Sequence, residues 1–367
     1  MRVALVHDYL NQYGGGERVL GTFCEMFPRA PIFTLLYDEK LTGRAFADRR
    51  IYTSFLQKIP GAKYYHRWLP MLMPLAVEQF DLSAFDLVIS NSASFAKGVI
   101  TKTHTRHFSY CMTPTRFLWD GSHKYLDEFQ QSGLIKKFVP PFLSYLRMWD
   151  QEASARVDRF VAISEFIRKR IKKYYQREAE VIHPPVDTSK FKISGQVDDY
   201  FLMVGRLVPY KRFDLAVEVF NQLGWPLKII GDGPEKKHLQ KLALRRTQGR
   251  PNIEFIGLVS DYLLPAYYSR AKAIIFPQEE DFGIVPVEAM ASGRPVIAFR
   301  AGGSLETIKE GESGLFFDEQ TPESLLKVLK SFNHLDFNPQ AIKARAGLFD
   351  KEIFKDKWMK TISLSSP

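Results

Sequence analysis

Residues 200–233, YFLMVGRLVPYKRFDLAVEVFNQLGWPLKIIGDG, set two apolar runs on either side of a stretch whose apolar residues recur at helical spacing. YFLMVGRL (200–207) and PLKIIGDG (226–233) have the length and near-continuous apolar character of strands buried on both faces. KRFDLAVEVFNQL (211–223), between them, reads as an amphipathic helix. The same alternation continues through strands NIEFIG (252–257), AIIFPQ (273–278) and PVIAFRAGG (295–303). EKKHLQKLALRR (235–246), DYLLPAYYSRA (261–271) and PVEAMASG (286–293) supply the helices between them. Strand and helix in strict alternation predict a doubly wound α/β unit with a parallel sheet covered on both faces.

The first half of the chain follows the same plan less regularly. RVALVH (2–7), DLVISNS (86–92), HFSYCMT (107–113), RFVAISE (159–165) and AEVIHPP (179–185) read as parallel strands. With 367 residues and 45% apolar composition the chain is long for one domain. The polar stretch ISGQVDD (193–199) marks the restart of the alternation. The expected organisation is therefore an N-terminal domain over 1–190 and a second over 191–349, with a helix over about 350–367 that closes the second domain or reaches back across the first.

The two cysteines, Cys24 and Cys111, lie far apart without metal-ligand spacing, which supports neither a disulfide framework nor a zinc site. MRVALVHDYL at the start reads as a buried strand, and the longest apolar stretch, LPMLMPLAV (69–77), is too short to span a bilayer. A cytoplasmic protein, soluble or peripheral on the cytoplasmic membrane face, is expected. The net charge of +10 implies an acidic partner. The basic residues are dispersed and no recognition motif appears, so nucleic acid is not expected as that partner.

Ligands of doubly wound sheets bind beyond the carboxyl ends of the strands, so the loops that follow strands carry the functional reading. YGGGERVL (13–20) places Gly14, Gly15 and Gly16 at a helix start, where converging amides favour an anion, although the spacing is not that of the dinucleotide fingerprint. A tight strand-to-helix turn is the plainer reading of that stretch alone. VGRLVPYKRFD (204–214) sets Arg206 at a strand end and Lys211 at a helix entrance, two cations suited to the two phosphates of a diphosphate or to an ordinary solvated turn. In FPQEEDFGIVPVEAMASG (276–293), Pro286 and Gly293 mark the start and stop of a helix. The amides around 283–285 are then available to phosphate, with Glu280 before them and Glu288 in the first turn after them. Ionised carboxylates accept hydrogen bonds from neighbouring hydroxyls, so Glu280 and Glu288 could hold the two ends of a nucleotide diphosphate sugar. Glutamate in a first helical turn is also favourable for dipole reasons alone.

Together with IIGDGPE (229–235), AISEFIRKRI (162–171) and PPVDTSKF (184–191), these elements resemble glycosyltransferase family 4 over nearly the whole chain. The resemblance implies the GT-B fold, two Rossmann-like doubly wound parallel-sheet domains facing a central cleft, and a retaining transfer from a nucleotide diphosphate sugar to a saccharide. SNSASFAKGV (90–99) and YCMTPTRFLWD (110–120) resemble the branch of mannosyltransferases that build O-antigen and other polysaccharides. On that resemblance GDP-mannose is the expected donor and a saccharide, lipid-linked, the expected acceptor. Arg206, Lys211 and Glu280 would carry catalysis, the cations by neutralising the leaving diphosphate. Gly14, Gly15 and Gly16 would face the donor phosphates. Asp281, Phe282, Gly283, Ile284 and Val285 would contact the donor, and Glu288 the ribose.

Met112, Arg116 and Trp119 are the acceptor or sugar-side candidates. Many relatives have His where this chain has Met112, and a thioether donates no hydrogen bond. His107, five residues earlier, is not an obvious substitute. No Asp-x-Asp triplet occurs, so neither a metal nor another cofactor is expected. The rival readings are a non-catalytic nucleotide-sugar-binding homologue, a transferase with a UDP-sugar donor, and a non-hydrolysing sugar-nucleotide epimerase. The missing dinucleotide fingerprint disfavours a nicotinamide oxidoreductase. KIPGAKYYHRWLPMLMPL (58–75), with Lys58, Lys63 and Arg67, and LIKKFVPPFLSYLRMW (134–149) interleave cations with aromatics, as suits an anionic membrane surface or equally a charged rim over packed loops.

Overall fold

The computed structural model describes residues 1–120, 133–244 and 252–364. The chain divides into two units, Met1–His183 and Pro184–Pro367. Each is built on one parallel sheet with helical connections.

The first unit has seven strands: β1 (Val3–His7), β2 (Ile32–Thr34), β3 (Ile51–Thr53), β4 (Leu87–Ser92), β5 (Arg106–Cys111), β6 (Arg159–Ala162) and β7 (Ala179–Val181). Their order is β3-β2-β1-β4-β5-β6-β7, and each neighbouring pair is parallel. The strand order reverses between β1 and β4, which makes the carboxyl ends of those two strands the place where such a sheet opens to a ligand. The register sets His7 opposite Asn91 there. Residues of β1 and β4 are buried throughout, the polar His7, Ser90, Asn91 and Ser92 at their carboxyl ends as well as the apolar residues before them. β2 and β3 escape the sequence reading because three residues carry no periodicity. HFSYCMT ends as a strand at Cys111, which puts Met112 just past the sheet.

Asp8 fastens the β1 and β4 ends together. Its carboxylate accepts the backbone N–H groups of Ala93, Ser94, Phe95 and Ala96 at 2.6–2.9 Å, all within the turn after β4. Around it Val6, Phe33, Leu36, Met73, Val77, Val88, Phe95, Leu143 and Leu146 form the core of one sheet face.

The second unit has six strands: β8 (Phe201–Val204), β9 (Leu227–Ile230), β10 (Ile253–Gly257), β11 (Ile274–Phe276), β12 (Val296–Phe299) and β13 (Gly314–Phe317), ordered β10-β9-β8-β11-β12-β13. Its reversal lies between β8 and β11. The helix Phe213–Leu223 buries Phe213, Ala216, Val217 and Phe220 in a core with Phe201, Met203, Leu227 and Ile229. This is the amphipathic face read from 211–223. β13, within SGLFFDE, was not read as a strand. The helix read over 235–246 is described as Lys236–Leu244, and its last two positions lie outside the described residues.

The helical tail over 338–363 is two helices, Pro339–Gly347 and Lys351–Ser363. Asp350 caps the second, and its carboxylate also accepts from Thr188, which ties this tail to the first residues of its own unit.

Candidate functional site

In the second unit the loops after β8 and β11 meet at the strand-order reversal. After β8 the chain passes through Gly205, Arg206, Leu207 and Val208 to a tight turn, Pro209–Lys211. This turn brings Lys211 back over the strand end, its Nζ 3.2 Å from where a β-carbon on Gly205 would stand. From there it reaches Glu280 Oε1 at 2.9 Å, with 13% of the lysine and 24% of the glutamate side chain exposed. The predicted partners of a diphosphate and a sugar are thus an ion pair. Arg206 lies in the same loop and is exposed.

The Glu280 loop is held from behind by Gly302 and Gly303, which the apolar run 295–303 predicts at the tail of a strand but which follow β12, ended at Phe299. Gly303 donates its N–H to the Glu280 carbonyl at 2.9 Å. Gly302 has φ +60°, and a β-carbon there would fall 2.3 Å from the Glu280 carbonyl oxygen, while one on Gly303 would fall 2.3 Å from Phe282 Cα. Only glycine fits such an approach of two backbones. The signal available was Gly-Gly directly after an apolar run.

Phe282 is buried edge-on against Phe349, and Gly283, at φ +88°, starts the helix Ile284–Ala291. Asp281, Ile284 and Val285 are half-buried at that helix start. Its first amides have no partner inside the helix, and its dipole adds partial positive charge beside Glu280.

Glu288 corrects one expectation. The helix begins at Ile284, so Glu288 is its fifth residue and lies beyond the first turn. The dipole argument therefore does not account for it. Its side chain is only 4% exposed, and Oε2 accepts a hydrogen bond from buried Tyr268 at 2.8 Å. Tyr268 was not read as a site residue, and nothing in the helical pattern of 261–271 singled it out.

In the first unit Gly14 caps the helix Gly15–Met26. Its N–H is not left to an external anion, because it donates to Glu17 Oε2 at 2.7 Å. The same carboxylate stands 3.5 Å from His7 Nε2, and His7 Nδ1 donates to the Asn91 carbonyl at 3.1 Å. Burial disfavours charge on His7, but the Glu17 carboxylate, Asp8 and the Asn91 carbonyl together outweigh it and raise its pKa. Glu17 moves the other way: burial opposes its charge, and His7 and the Gly14 amide more than compensate.

Met112 lies against this group, with Sδ 3.2 Å and His7 Cε1 3.6 Å from the position of a β-carbon on Gly16. His107 is no substitute for the missing imidazole. It is fully buried, bonded to Ser90 Oγ at 2.9 Å, and pulled down to a pKa of about 3 by burial and the nearby Arg156. Arg116 is exposed and Trp119 half-buried on the segment after Met112. The His7–Glu17–Asn91 cluster, like Asp8, was missed because single polar residues at strand ends look like turn residues in a sequence.

Two doubly wound units, each with polar side chains gathered at its strand-order reversal, are the construction of a GT-B glycosyltransferase. The family model for Glycosyl transferases group 1 matches residues 187–346, and that for Glycosyltransferase Family 4 matches residues 13–190. The chain belongs to glycosyltransferase family 4.

It is 27% identical over 190 residues to an uncharacterized glycosyltransferase of Methanocaldococcus jannaschii, a match that spans 51% of this chain and 53% of that protein. It is 24% identical over 317 residues to the alpha-1,3/1,6-mannosyltransferase of Mus musculus, spanning 77% of this chain and 71% of the relative. The fold is that of Anabaena HepE, solved in complex with UDP, at a TM-score of 0.73 and 17% identity, with 99% of this chain and 100% of the other covered. The chain thus spans about half the length of the first of these curated relatives.

Proposed function

We propose that the protein transfers a hexose from a nucleotide diphosphate sugar to a saccharide hydroxyl, with retention at the anomeric carbon and without a metal. The observation that carries this reading is the Lys211–Glu280 pair, 2.9 Å apart between the loops after β8 and β11 and beside the start of the helix Ile284–Ala291. Negative charge develops on the departing diphosphate, and Lys211, Arg206 and the helix amides are preorganised donors for it. Glu280 then passes from Lys211 to the hydroxyls of the transferred sugar. Glu288, with one oxygen held by Tyr268, takes the ribose. Gly15 and Gly16 offer amides to an anionic group at the edge of the first sheet.

Mannose from GDP-mannose is the preferred donor, supported by the likeness to a eukaryotic mannosyltransferase. A UDP-sugar donor is the second reading, because HepE was solved with UDP. Thermal-shift titration with GDP, UDP and ADP, followed by their sugars, separates the two. GDP and GDP-mannose are expected to raise the melting temperature most, and a rise with UDP alone would reverse the preference.

The acceptor proposed is lipid-linked, in the synthesis of O-antigen or another cell-surface polysaccharide, with the protein bound peripherally at the cytoplasmic membrane face. Among the described residues no helix is long and apolar enough to cross a membrane. Tyr64, Tyr65, Trp68, Met71 and Leu75 are exposed beside Lys58 and Lys63, and Phe142, Tyr145 and Met148 are exposed along the helix Gly133–Ala155. The side chains of Arg67 and of 133–139 lie outside the described residues. Aromatic and basic side chains together suit the interface of an anionic bilayer. Sedimentation with anionic vesicles at low salt is expected to carry the protein down, and a protein left in the supernatant would end this part of the proposal.

A further inference from the structure

The eight residues after Met112, TPTRFLWD at 113–120, are held by charged side chains that the reaction itself does not call for. Arg170 bridges the ends of the segment, Nη1 donating to Thr113 Oγ1 at 2.6 Å and Nη2 to Asp120 Oδ1 at 2.7 Å. Asp150 grips its middle. This carboxylate is fully buried, and it accepts from Thr115 Oγ1 at 2.8 Å, Trp119 Nε1 at 2.8 Å and the buried Lys97 Nζ at 2.6 Å. Arg147 donates to the Leu118 carbonyl.

A buried ion pair such as Lys97–Asp150 is weak evidence for stability, since desolvation offsets most of its Coulombic gain. What the pair does is fix geometry, and the geometry it fixes is a loop at the carboxyl edge of the sheet. There the Trp119 ring stacks on Tyr174 with centroids 5.0 Å apart and planes inclined by 21°. Arg170 and Lys173 stand over the same Tyr174 ring at 5.9 and 5.6 Å. Both rings are half-buried, Lys173 is exposed beside Tyr174, and Arg116, in the same segment as Trp119, is exposed. The face of an aromatic ring is electron-rich, which suits the C–H face of a pyranose, and the neighbouring cations suit its hydroxyls.

We propose that the Trp119–Tyr174 pair is the platform on which the saccharide acceptor rests, and that Arg170 and the Lys97–Asp150 pair are positioning residues that lock its supporting segment. This rests on the transferase reading above and adds to it the acceptor-side residues Tyr174, Arg170, Asp150 and Lys97.

The test measures transfer of radiolabelled mannose from GDP-mannose, and of glucose from UDP-glucose, to a total lipid extract of the source cells. Donor and extract are varied separately. Arg170→Met is expected to raise the half-saturating amount of extract by about tenfold or more and to leave the donor KM unchanged, as misplacement of a bound reactant does. Arg170→Lys is expected to recover part of the loss, because an ammonium reaches Thr113 or Asp120 but not both. Tyr174→Leu is expected to shift the extract dependence in the same direction. Should Arg170→Met fail to fold, Asp120→Ala, at an exposed position, is expected to shift it likewise and more weakly. An active wild type whose Arg170→Met and Tyr174→Leu variants keep its extract dependence, or shift donor and extract alike, overturns the platform alone. A wild type inert toward both donors removes the transferase reading, and the platform with it.

Discussion

Lys211 Nζ and Glu280 Oε1 stand 2.9 Å apart although 69 positions separate them in sequence, because β8 and β11, which precede their loops, are neighbours in the sheet. Each charge is the other's partner. The pair holds a partly shielded ammonium at the strand edge, where the proposed diphosphate would compete with Glu280 for it.

Removal of that competitor should separate binding from turnover. Glu280→Gln leaves Lys211 without its carboxylate, so GDP is expected to bind as tightly as before or up to about tenfold tighter, a change of about 1.4 kcal/mol. Transfer is expected to fall by about 100-fold or more, since the sugar loses its charged acceptor. Calorimetry with GDP and steady-state turnover measure the two effects.

The Tyr268–Glu288 hydrogen bond predicts a different split. Tyr268→Phe leaves a buried carboxylate oxygen short of a donor and is expected to lower stability by about 1–3 kcal/mol, read from urea unfolding. Glu288→Ala is expected chiefly to weaken nucleotide binding by calorimetry. Unchanged nucleotide affinity in that variant would remove the ribose assignment.

Gly302→Ala tests the support behind Glu280. At φ +60° and 2.3 Å from the Glu280 carbonyl oxygen, a β-carbon has no place to go without backbone movement. Strain of about 1–3 kcal/mol is expected, together with a fall in turnover larger than the fall in nucleotide affinity. A variant with wild-type melting and turnover would show that the two loops do not depend on each other.

The His7–Glu17 pair predicts a pH dependence of stability. His7 has a raised pKa, so its contribution is fully present below its ordinary value of 6.5 and is lost as pH rises through the folded value. Glu17 has a lowered pKa, so its contribution is present above 4.5 and is lost as pH falls through the folded value. The pair is therefore fully effective between pH 4.5 and 6.5. Urea midpoints taken from pH 5 to 9 are expected to fall on the alkaline side in the wild type, and to fall less in Glu17→Gln.

Much of this architecture is legible in the sequence for a physical reason. Strands buried on both faces must be apolar almost throughout, as in VALVH and FLMV, and the helices between them must show one apolar face. Three-residue strands such as Ile32–Thr34 carry no such constraint and were not read. Glu280, Lys211 and the helix start at Gly283 were readable because charge, glycine and proline cluster after strands. Gly302, Tyr268 and Arg170 were not, because their roles depend on which distant backbone or side chain they meet. Glu288 lies two positions deeper in its helix than a start at Pro286 implies, because Pro286 is the third residue of that helix.

The most direct test of the central claim is the release of nucleoside diphosphate by Lys211→Ala. The assay uses saturating donor, GDP-mannose or UDP-glucose, whichever the wild type accepts, with the source-cell lipid extract as acceptor. Turnover about 100- to 1,000-fold below wild type, with an unchanged melting temperature, is the predicted result. Turnover within a few fold of wild type in a folded variant would contradict it, because the leaving diphosphate would then be stabilised by something other than this lysine.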